Sequence, residues 1–232
     1  MKVFIAGATG VLGRRLAQRL VAAGHEVTGL TRSPERGAVL TAIGARAAVA
    51  DALDYEALNK AVQDARPTHV AHLLTALPPG GAIRPSGLVQ TNRLRIDGTA
   101  SLLRAAISVG ARRLVAESFV AVYGAADFEA PRDEADPLPP AGNGPLRETV
   151  LALRSLEEQL RVARERGAIE TVALRFGLLY GKGVPSVEET LRQIRAGRIA
   201  TPRGATGVAS FVHVDDAVSA IVAALEHEAP GP

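Results

Sequence analysis

Short apolar runs of Val, Ile and Leu alternate with stretches whose apolar residues recur every three or four positions, from the first residues to about residue 175. An apolar run of four to seven residues reads as a strand buried on both faces, whereas the three-four spacing puts one apolar stripe on a helix. Strands are therefore expected at 2–6, 26–31, 45–50, 68–74, 112–117 and 169–175, and helices at 11–23, 34–43, 54–65, 88–109 and 147–166. Strand and helix in strict alternation build βαβ units, so the expected fold is α/β with a doubly wound parallel sheet. Two stretches interrupt the rhythm, LPPGGAIRPSG at 77–87 and APRDEADPLPPAGNGP at 130–145. Each follows a strand, which puts it among the loops at the carboxyl edge of the sheet, where ligands of such folds bind.

The first strand runs into GATGVLG and then into the amphipathic stretch RRLAQRLVAAG. Three glycines at this spacing, Gly7, Gly10 and Gly13, let the backbone approach a pyrophosphate, while Thr9, Val11 and Leu12 bring amide groups and the positive end of the helix dipole to it. A dinucleotide is thus expected on a Rossmann-type sheet. The second strand ends in TRSPER, which offers Arg32, Ser33 and Arg36 in place of the carboxylate that would receive the ribose hydroxyls of NAD. A guanidinium and a hydroxyl suit a 2′-phosphate, so NADP is the expected cofactor, with NAD the second choice. Asp51 and Ala52 are placed to meet the adenine, although Asp51 could equally cap the helix that follows. Leu73, Leu74 and Thr75 close the fourth strand beneath the ribose and pyrophosphate.

Composition narrows the picture. The 27 basic and 24 acidic side chains are interspersed and leave a charge of only +3, too even for a nucleic-acid surface. No cysteine is present, which removes disulfides and thiolate metal sites and fits a cytoplasmic setting. The opening MKVFIAGATG is too short in apolar length for a signal peptide or a spanning helix, so no membrane association is expected. His69 and His72, three apart on a strand, point to opposite faces, so no metal site is expected.

GATGVLG, NRLRIDGTASLLRAAISVGARRLV, VYG, LRFGLLYGKG and FVHVDDAVSAIVAAL occur in this order along the chain. Together they resemble the extended short-chain dehydrogenase/reductase family, the NAD(P)-dependent sugar epimerases and dehydratases. The resemblance implies a proton relay of Tyr, a Lys four residues later, and a Ser on the fifth strand. Here Val150 and Arg154 fall at the Tyr and Lys positions, and ESFVAVYG puts Phe119 at the Ser position with Ser118 before it. The pattern is that of atypical members. Ser118 and Tyr123 are the candidate catalytic hydroxyls, with Glu117, Thr75 and Tyr180 behind them. Phe176, Gly177 and Leu178 would lie against the nicotinamide, and His213 would position the last helix, capped by Asp215 or Asp216.

The expected organisation is a cofactor-binding domain over 1–180 and a small, apparently truncated substrate lobe over 181–232, packed as one unit. The helices at 88–109 and 147–166 could pair two copies, since Leu151, Leu153, Leu156 and Leu160 supply apolar surface and Arg154, Glu157, Glu158, Arg161 and Arg164 an exposed, paired face. The expected function is NADP-dependent oxidoreductase or epimerase-like chemistry on a small carbonyl or sugar-like substrate, with a nonstandard proton donor. The alternative is a catalytically silent NADP(H) sensor.

Overall fold

Val3, Phe4, Ile5 and Ala6 are all buried, which only a strand sandwiched between two helical layers can achieve. The computed structural model describes residues 1–78, 85–124, 131–198 and 209–227 and places this strand, β1 (Lys2–Ala6), inside a six-stranded parallel sheet. The other strands are β2 (Glu26–Thr31), β3 (Arg46–Val49), β4 (His69–His72), β5 (Arg113–Phe119) and β6 (Glu170–Phe176), in the order β3-β2-β1-β4-β5-β6. The period of two along β1 divides its side chains between two cores. Val3 and Ile5 pack with Leu12, Leu16 and Leu20 of α1 (Val11–Ala22), Leu40 of α2 (Pro34–Thr41) and Ile221 of the last helix. Phe4 and Ala6 pack with Leu58 and Val62 of α3 (Tyr55–Ala65) and with Leu102, Leu156 and Leu160 of helices on the other side.

Local chemistry sets the helix ends. Ser33 caps α2 by accepting from the Arg36 amide at 3.3 Å, and Pro34 follows in the first turn. Asp54 caps α3 by accepting from Ala57 N at 3.1 Å, and Arg66, at φ 43°, ends it in the left-handed region.

The helix expected over 88–109 is broken. A 3-10 turn at Pro85–Leu88 leads into α4 (Val89–Arg93), a π turn at Leu94–Gly98 and α5 (Thr99–Ser108). The Thr99 hydroxyl donates to the Arg95 carbonyl at 2.6 Å, so a side chain occupies an acceptor of the helical ladder and the turn widens. With its proton spent there, Thr99 Oγ1 accepts from His72 Nε2 at 2.8 Å, and His72 Nδ1 accepts from Leu74 N at 3.4 Å. Burial holds His72 down to about 4, so it sits neutral with both ring nitrogens used. His69, on the opposite face, hydrogen-bonds Thr68 Oγ1.

The strand ends also shift slightly: β4 is shorter than expected and β5 runs on through Ser118 and Phe119. Past β6, strands β7 (Leu178–Tyr180) and β8 (Phe211–His213) pair in parallel, and helices α7 (Pro185–Arg195) and α8 (Val214–Glu226) follow β7 and β8 in turn. The cap of α8 is His213, whose Nδ1 accepts from Asp215 N at 3.3 Å. Asp215 and Asp216, expected as the cap, instead occupy the first turn, because His213 still has extended backbone and the helix begins at Val214. Arg15 of α1 donates to the Lys182 carbonyl and pairs with Asp215 at 3.6 Å, joining α1 to this region. Of the two interruptions expected as loops, residues 79–84 and 130 lie outside the described residues, as do 199–208 and 228–232 of the lobe expected after 181.

Candidate active site

The sheet order reverses between β1 and β4, and the crevice there opens at the carboxyl ends of the strands. The glycine turn lines it. Gly7 sits at φ +92°, and a Cβ on it would stand 2.3 Å from the Leu73 carbonyl oxygen of the neighbouring chain segment. Gly10 N donates to Gly7 O at 3.0 Å, closing the turn. A Cβ on Gly13 would stand 2.2 Å from that same Gly7 oxygen. The turn can therefore hold α1 this close only with glycine at both places. Gly10, the N-cap of α1, makes no side-chain cap bond, and the first turn carries no acidic residue. The amides of Val11, Leu12 and Gly13 thus lack intrahelical partners and face outward with the positive helix end. A pyrophosphate fits this cradle: it supplies the anion that the helix lacks.

At the end of β2, Thr31 is buried, and Arg32 and Arg36 are exposed with no ion-pair partner among the described residues. Ser33 Oγ accepts from Arg36 N as the cap of α2, and its hydroxyl also hydrogen-bonds the Glu35 carboxylate beside it. Asp51 Oδ1 accepts from Leu53 N at 2.9 Å, so it shapes the loop after β3, while Asp54, not Asp51, caps α3. Ala52 is buried beside it. Leu73 N donates to Ala6 O at 2.8 Å, which keeps the end of β4 against β1, and Thr75 is exposed beyond it.

The region of the expected relay is filled differently. On α6 (Arg147–Glu165), Val150 is 1% exposed and packed in the interior. Arg154 turns inward, donating through Nε and Nη2 to the Val122 carbonyl at 3.2 and 3.1 Å and to the Pro139 carbonyl. Ser118 is buried and donates to Glu157 Oε1 at 2.6 Å. Tyr123, in the short 3-10 turn Val120–Tyr123, donates to the Asp133 carbonyl at 2.6 Å and accepts from Arg175 Nη1 at 2.7 Å. Arg175 completes the cluster with a bidentate pair to Glu157 that holds its guanidinium above the usual arginine range. Both candidate hydroxyl protons are therefore committed to protein acceptors. The paired outer face expected on α6 is smaller than its sequence suggests: Glu158, Arg161 and Glu165 form it, and Arg154 and Glu157 face inward.

These contacts give Arg154 a structural role. Arg154→Ala should lower the melting temperature by roughly 4–8 °C, the loss of about 2 kcal/mol of charge-assisted hydrogen bonds. Dinucleotide affinity should stay within about twofold. Calorimetry and a binding titration on one preparation check both, and a large affinity loss at unchanged stability would instead assign Arg154 to the cofactor.

One charged group at this edge lacks such partners. Glu117 is half-buried on β5, opposite Leu174 of β6, and its carboxyl forms no hydrogen bond or ion pair with any described residue. The other acidic residues within the central sheet are both paired, Glu26 with Lys2 and Glu170 with Arg113. Burial pushes Glu117 up to about 7, against the pull of Arg95. Arg95, in the π turn, is itself lowered by burial and donates to Asn92 Oδ1 at 3.1 Å. The two feel each other's field, yet no ion pair within 4 Å joins them. On the β6 side, Phe176 is buried in the core, Gly177 closes against the Ser210 carbonyl, and Leu178 is exposed. A surface recess of about 490 Å³ lies between Lys2, Glu26, Thr68, His69 and Arg112, at the opposite edge of the sheet from all these groups.

Sheet order, open crevice and glycine cradle define the class of Rossmann-type dinucleotide-binding proteins. Within it, the chain belongs to the NAD dependent epimerase/dehydratase family, whose sequence model matches residues 3–232. It is 43% identical over 234 residues to a 3-diazoavenalumate denitrifying reductase from Streptomyces sp, covering 100% of this chain and 74% of that protein. It is 28% identical to a 2-alkyl-3-oxoalkanoate reductase from Stenotrophomonas maltophilia, covering 100% and 67%. Among solved structures, a Thermus thermophilus UDP-glucose 4-epimerase in complex with NAD matches the fold with a TM-score of 0.80 at 24% identity, over 98% of this chain and 75% of that one. The chain is an NAD(P)-dependent enzyme of the oxidoreductase/epimerase type. No helix among its described residues is long and apolar enough to cross a membrane.

Proposed function

We propose that this enzyme is an NADP(H)-preferring reductase acting on a small carbonyl or sugar-like substrate without the tyrosine-lysine relay. The observation that carries the reading is the open cradle at Gly7–Gly13 next to a β2 end that presents two arginines with no ion-pair partner among the described residues. The two reductases that it resembles along its whole length support the direction of the reaction. When bound, the cofactor supplies a hydride. Gly7, Thr9, Gly10, Val11, Leu12 and Gly13 would hold the pyrophosphate with backbone amides. Arg32, Ser33 and Arg36 would hold the 2′-phosphate, Asp51 and Ala52 the adenine side, and Leu73, Leu74 and Thr75 the floor. Phe176, Gly177 and Leu178 would exclude water from the nicotinamide end.

The experiment compares cofactors. Arg32→Ala should weaken NADPH binding by roughly 10- to 50-fold, the worth of about 2 kcal/mol in charge-assisted bonds, and leave NADH within about twofold. Equal losses for both cofactors would remove the phosphate assignment, and wild-type protein that oxidises neither with any carbonyl would remove the reductase.

A further inference from the structure

We propose that Glu117 is the proton donor of the reduction, with Arg95 as the cation whose charge it feels; the proposal rests on the reductase reading above. The two leading hydroxyl candidates are spoken for: Ser118 gives its proton to Glu157 and Tyr123 to the Asp133 carbonyl. Glu117 lies at the carboxyl end of β5, in the row shared with Leu174, next to the crevice where the strands end. A carboxyl in a sheet normally finds a cation or a donor, because leaving it without one costs stability. Glu117 has neither among the described residues, the condition of a group kept for transfer. Arg95 stands near enough to stabilise the carboxylate left behind, but not as an ion pair that would lock it. The other charged groups on the surrounding elements are engaged or turned away. His72 of β4 is used by Thr99 and Leu74, Arg154 of α6 by backbone carbonyls, and Glu157 of α6 and Arg175 of β6 by one another. On α8, Asp215 pairs with Arg15 and Asp216 is exposed. With burial raising Glu117 to about 7 and Arg95 opposing, the acid is poised near neutral pH, where a general acid works best.

In the step, the electrophilic carbon of the substrate receives the hydride and the C=O electron pair moves to oxygen. That oxygen takes the proton as the Glu117 O–H bond breaks, and water later reprotonates the carboxylate. The substrate gains two electrons, and the dinucleotide loses them.

Two measurements test this. Isotope-edited infrared titration of the protein without cofactor should show a carboxyl with a midpoint near 7 that vanishes in Glu117→Gln; Arg95→Gln should move that midpoint upward, since it removes the cation that opposes the burial. In single-turnover NADPH oxidation with 9,10-phenanthrenequinone, Glu117→Gln should slow the reaction about 100-fold near pH 6.5, a typical contribution of general acid catalysis, and flatten the pH profile. NADPH affinity should change less than threefold. Glu117→Asp, with the same chemistry on a shorter arm, should recover part of the rate and shows that a slow Gln variant is not merely misfolded. Wild-type turnover with an equally fast Glu117→Gln, or a Glu117 that titrates below 5, overturns the donor assignment alone. Wild-type binding of NADPH without turnover of any carbonyl overturns the reductase reading and the donor with it.

Discussion

Gly13→Ala should lower dinucleotide affinity by about 100-fold or more, a loss of roughly 2.7 kcal/mol, and the melting temperature by several degrees. The new Cβ would stand 2.2 Å from Gly7 O and 2.7 Å from Ala8 Cα. Both obstacles are backbone, so no side chain can turn aside, and the start of α1 must retreat from the turn. Overpacking of this kind costs roughly 1–3 kcal/mol in stability. Its effect on binding is larger in kind, because the retreat moves the very amides at Val11 and Leu12 that would meet the pyrophosphate. Gly144→Ala is the control, since its Cβ would meet nothing within 4 Å and its backbone is not in the left-handed region. A fluorescence titration with NADPH reads the result. Binding by Gly13→Ala within threefold of wild type would show that the turn is a structural bend and nothing more.

The same glycine turn shows what the sequence could disclose. Three glycines between a buried strand and an amphipathic helix combine signals that are all local, and the strand and helix on either side lie within a residue or two of where that pattern puts them. The end of β2 was legible for the same reason, because Ser33 caps the helix that begins at the next residue. The break at Leu94–Gly98 was not. It depends on Thr99 giving its proton to Arg95, in a chain of bonds that begins at His72, 27 residues earlier, and no local pattern records that partnership. Glu157 misled for a related reason. Beside Arg154, Glu158 and Arg161 it has the spacing of a solvated pair, and only the placement of β5 and β6 beneath α6 turns it toward Ser118 and Arg175. The one local trace of the unusual edge was Glu117 itself, a charge at the end of the apolar run LVAESF. An arginine at position 95 carried no such mark, since the helix pattern around it is ordinary.

Glu157→Ala should cost about 3–5 kcal/mol, the largest stability loss expected from any single polar side chain here, and lower the melting temperature by roughly 6–20 °C. The carboxylate accepts from Ser118 Oγ at 2.6 Å and from Arg175 Nε and Nη2 at 3.0 and 2.7 Å, and the two ionic side chains are only 13% and 17% exposed. Removing it strands a guanidinium and a hydroxyl in the interior. The attraction lost is smaller than the desolvation left uncompensated, so the remedy is to remove the second charge as well. Glu157→Leu with Arg175→Met should recover most of the loss, because well-packed apolar groups of similar volume can replace a buried ion pair at little cost. Tyr123 keeps its bond to the Asp133 carbonyl in that double variant, so the 3-10 turn stays anchored. The cluster joins the carboxyl ends of β5 and β6 to α6, and Glu117 and Phe119 flank Ser118 on the same strand. Melting curves of the two single and one double variants therefore separate a lock on the site from a decoration. Additive losses in the cycle would dissolve the network into independent residues, whereas recovery in the double variant shows that Ser118 is held by a pair whose function is to keep this edge of the crevice fixed.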